Sequence, residues 1–191
     1  GVQPITLATF ADAGSTGSNI RVWLPDTPNL TKTAVSVLEG GDLSQSRSGN
    51  VAGSFDGKDE ESFVVTYDNT RQLEDWYAIT VKKPVKVSRV TFRHGNLFHD
   101  GGWFDTSIFR PGVQVKTTPT GAWKTIGALE SYPNTSSMSP GVVGTPGHLE
   151  FTFRLQQAMK VYGVRVFGRP ASGDRPSQSF SSCGGLFAYS E

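Results

Sequence analysis

Thirteen consecutive residues carry most of the versatile chemistry of this chain: Arg93-His94-Gly95-Asn96-Leu97-Phe98-His99-Asp100-Gly101-Gly102-Trp103-Phe104-Asp105. They include two of the three histidines, two carboxylates, one amide, three aromatic rings and three glycines. Aromatic rings offer a flat apolar face, while Asp, Asn, His and Arg offer forks of donors and acceptors. That mixture suits a ligand with both an apolar face and hydroxyl groups, as a sugar has. Trp103 and Phe104 either stack on such a ligand or cap the end of a core. Asn96, His99 and Asp100 are candidate hydroxyl contacts. Asn96 equally suits a left-handed turn, and His99-Asp100 a pair hydrogen-bonded within the loop. Arg110 is either a ligand-binding guanidinium or the partner of Asp105. Shielding about 100 Å² of aromatic surface contributes on the order of 2–3 kcal/mol. A shallow site of this kind binds with a Kd of about 10 μM to 1 mM.

The same loop could supply an acid and a base through Asp100, Asp105 and His99. However, the chain has no nucleophile elbow, HExxH or phosphate-loop motif. A shallow loop site also excludes water poorly. A non-catalytic binding role is therefore expected, with a small hydrolase as the weaker reading.

Positioning such a loop falls to short strands. Of 191 residues, 22 are glycine and 11 proline, and only 18% are charged, a profile of many strands joined by tight turns. Alternating apolar and polar residues mark strands at 76–81, 149–155 and 161–167, and β-branched residues mark 85–93. Segments 113–116 and 123–126 flank Pro119-Thr120-Gly121 as a hairpin. Further strands are expected at 34–38, 63–65 and 185–189, with a short one near 20–24. Residues 42–53, 95–111, 132–147 and 168–182 read as loops, 82–84 as a turn, and 156–160 as a turn or single helical turn. No helix of ten residues is expected. The predicted fold is all-β: an antiparallel β-sandwich of jelly-roll type over 34–191, preceded by an extension or lead-in strand over 1–33.

The net charge is +1, from 18 basic and 17 acidic residues without a basic run, which argues against nucleic acid. No stretch approaches the ~20 apolar residues that span a bilayer, so membrane insertion is not expected. The chain begins at Gly1 without a leader-like segment, so any signal peptide is expected to have been removed. A lone cysteine, Cys183, is expected to pack as a small apolar residue. His148 stands at a strand start and reads as structural or solvent-facing.

The order and spacing of several segments resemble a known superfamily. They are Phe55-Asp56-Gly57, Asp75-Trp76-Tyr77-Ala78-Ile79-Thr80-Val81, Val87-Ser88-Arg89-Val90-Thr91-Phe92, Val113-Gln114-Val115, Gly121-Ala122-Trp123 and Tyr162-Gly163-Val164-Arg165-Val166. Over about 34–189 the chain resembles the discoidin, or coagulation factor 5/8 type C, domains and the galactose-binding-like carbohydrate-binding modules, family 32 in particular. The resemblance implies an eight-stranded jelly roll that is secreted and appended to a glycoside hydrolase, with a carbohydrate ligand held by loops at one end; a monomer is expected. It implies that His94 contacts the sugar, that the 169–182 loop approaches the same end, and that Phe180 there supplies a stacking ring. Asp174 and Arg175 in that loop suit a solvent-exposed pair. A structural calcium ion is also implied, with Asp56 and Ser62 as ligands. Gly184-Gly185 stands where the family has a Glu, which removes one carboxylate from that set. A protein- or membrane-binding adhesion module of discoidin type is the alternative, but membrane-binding relatives surround apolar spikes with basic residues, whereas this loop mixes aromatics with Asp and His.

Overall fold

The computed structural model describes residues 4–6, 21–23, 34–46, 51–56, 63–66, 73–95, 97, 101–135, 150–171 and 179–191. Contacts divide the chain into two units, Gly1–Val35 and Ser36–Glu191. In the first, β1 (Pro4–Thr6) pairs antiparallel with β2 (Arg21–Trp23). The second holds β3 (Asp42–Gln45), a single 3-10 turn (Gly53–Phe55), β4 (Phe63–Thr66), β5 (Asp75–Arg93), β6 (Phe104–Asp105) and β7 (Gly112–Lys116). It continues with β8 (Lys124–Ala128), β9 (Glu150–Pro170), β10 (Ser179–Ser182) and β11 (Gly185–Tyr189). The principal sheet runs β11-β5-β9-β7-β8, with β3 added to β5 and β6 to β9, while β10 pairs with β4. Every strand pair is antiparallel.

Two long strands build the sandwich. β5 and β9 pair from Asp75↔Gly168 to Arg93↔Glu150, with register breaks between Thr80 and Val85 and between Val87 and Arg89. Fifteen residues of straight strand span about 50 Å. Yet the rings of Tyr77 and Phe92, at opposite ends of β5, lie 6.0 Å apart. The ribbon therefore folds over at its register breaks, and its two halves face each other across the core. Tyr77, Ile79, Val87, Val90, Phe92, Val113, Val115, Val161, Val164, Val166 and Leu186 fill the space between. Within each stretch between register breaks these residues alternate, as in Tyr77/Ile79, Val90/Phe92, Val113/Val115 and Val164/Val166, which is why the apolar alternation was visible in the sequence.

The antiparallel β-sandwich expected from the sequence is the fold that forms, with differences in how its strands are cut. Lys82-Lys83-Pro84 does redirect the chain, but as a bend within continuous β5 at its register break, where a proline is tolerated, and not as a turn between two strands. The segment 156–160, expected as a turn or single helical turn, likewise stays within a strand, β9, with Lys160 opposite Lys86 and Met159 opposite Val87. Residues 34–38 do not form a strand. Leu38 is buried in a turn closed by Gly41 N–H donating to Leu38 O at 3.0 Å. The strand falls instead on Asp42–Gln45, expected as loop, because its backbone pairs with β5 at the sheet edge whatever its side chains.

Candidate functional site

At one end of the sandwich the 95–111 and 168–182 segments are joined by backbone. Gly102 bridges Ser181, Ala171 bridges Phe180, and β6 pairs with Arg169 and Pro170 at the end of β9. Gly102 takes a left-handed φ of 98°, which only glycine adopts at little cost. Its carbonyl accepts from Ser182 Oγ at 2.6 Å. The two loops expected to meet are thus locked together.

Their aromatic side chains point inward. Trp103 is 1% exposed and packs with Leu97 and Ala171, and Phe104 is wholly buried. Phe180 is 3% exposed, its ring lying so close over Gly101 that a β-carbon there would collide with it. His94 is also buried and touches the rings of Phe92, Phe104, Tyr132 and Phe151. Trp103 and Phe104 therefore take the core-capping role of the two open to them, and the burial of His94 and Phe180 corrects the expectation that these two face a sugar. Apolar burial outweighs exposure for such large rings whenever the fold closes over them. Asn96, His99 and Asp100 lie outside the described residues.

His94 anchors a hydrogen-bonded chain. Its Nδ1 lies 3.1 Å from Ser182 O, a pure acceptor, so Nδ1 carries the proton. Nε2 then accepts from Tyr132 O–H at 2.7 Å, and the Tyr132 oxygen accepts from Phe104 N–H at 2.9 Å. Burial lowers His94 from 6.5 to about 4, against the opposing pull of its hydrogen bonds to Ser182 and Gly102. Burial likewise pushes the Tyr132 hydroxyl and the Cys183 thiol far above their usual ranges. A second chain ties β10 to β5: Tyr77 O–H donates to Ser181 Oγ at 2.8 Å, and Ser181 donates to Asp75 Oδ2 at 2.5 Å. Asp75 also accepts from Ser46 Oγ at 3.2 Å. These chains satisfy buried polar groups and hold loop geometry.

Asp105 finds its cation in Arg169, at 3.9 Å, and its Oδ1 accepts from Ser107 N–H at 2.8 Å. Arg110, by contrast, is exposed. This corrects the reading of Arg110 as a buried partner of Asp105. Arg110 instead borders an open hollow with Glu74, Phe109, Gly112, Thr125 and Phe167.

That hollow lies on the outward face of the principal sheet, where a second group of aromatics gathers. Trp76 opposes Phe167 across the β5–β9 pair, and Phe109 lies 6.1 Å from Phe167, ring to ring. The Arg165 guanidinium sits 5.2 Å from the Trp76 ring centroid and 4.9 Å from that of Trp123. Lys116 Nζ lies 5.2 Å from the Trp123 ring. Arg165 Nε donates to Gln114 Oε1 at 2.7 Å, and Gln114 Nε2 donates to Thr125 Oγ1 at 3.0 Å. Partial burial pulls Arg165 down from its usual value, and the nearby Glu74 charge opposes this. None of Trp76, Phe109, Trp123 or Phe167 belongs to the core cluster of described residues. Sequence reading passed over this strip, although Trp76, Arg165 and Phe167 alternate with core residues Tyr77, Val164 and Val166. That parity already places them on the opposite face.

Asp56, the expected calcium ligand, is exposed at the end of the 3-10 turn, and that turn packs against β11. Ser62 lies outside the described residues. Gly185, at the start of β11, contributes no carboxylate. Among the described residues no three His, Cys, Asp or Glu side chains come together to hold a metal ion.

No protein-family model matches the sequence, and no curated protein matches it. Solved structures do. The family 32 module of NanJ from Clostridium perfringens, in complex with galactose, matches with TM-score 0.55 at 11% identity, over 82% of this chain and 98% of that one. A family 32 module of a Clostridium perfringens GH89 protein, in complex with GalNAc-β-1,3-galactose, matches with TM-score 0.52 at 11% identity, over 78% and 94%. A Ruminococcus gnavus GH29 fucosidase in complex with fucose matches with TM-score 0.50 at 12% identity, over 84% of this chain but 27% of that enzyme. The chain has the β-sandwich fold of the family 32 carbohydrate-binding modules.

Proposed function

We propose that this chain is a secreted, non-catalytic carbohydrate-binding module, tethered to a glycoside hydrolase that it delivers to its substrate. The observation that carries the reading is the loop end of the sandwich, where two segments are fastened by backbone bridges over a fully packed scaffold. A rigid base of this kind lowers the ordering cost of a shallow sugar site. The shared fold supports it, since modules of that fold are found with galactose and with GalNAc-β-1,3-galactose bound. The match to part of a fucosidase supports the tether.

With the scaffold aromatics buried, we assign sugar contact to Asn96, His99 and Asp100, which lie between scaffold residues His94 and Gly101 in the chain. A glycan array probed with the whole chain tests this. Binding to a defined neutral glycan, weakened about tenfold by Asp100→Ala, is expected from the loss of one charge-assisted hydroxyl contact. Silence across the array would overturn it.

A further inference from the structure

We infer that the outward strip Trp76–Arg165–Trp123 is a second binding surface, built for a polysaccharide chain that carries carboxylates. This rests on the sugar-binding reading but names a different face of the module and a different ligand class. Two indoles flank one guanidinium, at 5.2 and 4.9 Å from its carbon. The rings are thus separated by no more than about the length of a disaccharide, a spacing at which flat side chains stack on sugar rings along one chain.

Charge selects the ligand. Arg165 gives its Nε to Gln114, and among the described residues its two terminal nitrogens have no hydrogen-bond acceptor. A guanidinium beside two rings, with its terminal nitrogens lacking an acceptor among the described residues, matches a carboxylate in shape and charge. Lys116 beside Trp123 adds a second cation, and Arg110 beyond Phe109 and Phe167 a third. Glu74 is the acidic group bordering the same hollow. A neutral chain would leave this fork unpaired, whereas a uronate would fill it. The strip runs across β5, β9 and β7 and continues over Phe167 to Phe109, so it suits the middle of a chain better than a single terminal sugar.

Polygalacturonate is the probe, with its methyl-esterified form as an uncharged chain of the same backbone. The whole chain should bind the acid form at least about tenfold more tightly than the ester, and the difference should shrink as NaCl rises from about 0.05 M to about 0.5 M. Trp123→Ala and Arg165→Gln should each weaken that binding about tenfold or more, while leaving neutral-glycan binding at the loop end unchanged. Lys116→Gln, an edge substitution, gives a smaller loss and covers the case in which Arg165→Gln disturbs folding. No binding to polygalacturonate, equal binding to acid and ester, or variants that bind the acid form like the wild type would each overturn the proposal. Polygalacturonate binding without any neutral-glycan binding would instead retire the loop-end site and leave the strip standing.

Discussion

The loop end and the sheet face contain nearly the same kinds of residue put to opposite uses. At the loop end, Trp103, Phe104, Phe180 and His94 turn inward and are sealed by hydrogen-bonded chains. On the sheet face, Trp76, Trp123, Phe109 and Phe167 lie outside the core and stand beside cations. Residue type alone does not separate the two. What separates them is backbone: the loop folds its rings under bridges to β10, while strand parity turns Trp76 and Phe167 away from the core and the connecting segments bring Trp123 and Phe109 beside them.

Breaking the loop end should cost the most. Trp103→Ala empties a buried site and should destabilise the fold by about 3–5 kcal/mol in urea denaturation. Acid should act through His94. The unfolded chain takes up a proton below about pH 6.5, whereas the folded chain resists it until about pH 4. The stability contributed by keeping this ring neutral is therefore complete above 6.5, declines as pH falls through that window, and is gone near 4. The loss amounts to about 3 kcal/mol. Denaturation across the window, repeated on His94→Phe, should show the slope in the wild type and its flattening in the variant. Tyr132→Phe removes the donor to His94 and the acceptor for Phe104 N–H, and should cost about 1–3 kcal/mol.

The sheet face should respond far less. Trp123→Ala should change stability by less than about 1 kcal/mol, because its half-exposed ring is not part of the core. A large loss there would show that the strip supports the fold, and the contrast between the two regions would fail. Calcium chelation tests the resemblance-based expectation of an ion at Asp56 and Ser62: a fall in melting temperature on chelation is the result that expectation requires, and an unchanged value would remove it.

The sandwich itself was legible because Tyr77, Ile79, Val164 and Val166 alternate with polar or outward positions, and alternation survives in any antiparallel sheet. β3 was not legible, since Asp42–Gln45 is held by backbone pairing that leaves no apolar pattern. The long reach of β5 through Lys82-Lys83-Pro84 was hidden by turn-like composition at what is a bend in a continuous ribbon. The loop aromatics misled for a different reason. Outside regular strands no parity rule fixes where a ring points, so Trp103 and Phe180 read equally well as ligand platform and as core. For Arg110 the sequence left two roles open, ligand contact or partner of Asp105, and the hollow it borders is set by the packing of Phe109 and Phe167, which no local pattern encodes.

The most direct measurement is a glycan array run on the wild type and Trp103→Phe side by side, with melting temperatures taken on the same samples. Both proteins should bind the same glycans with affinities within about twofold, while the variant melts lower. Loss of binding in a Trp103→Phe protein that melts like the wild type would put the indole back on the ligand and contradict the account.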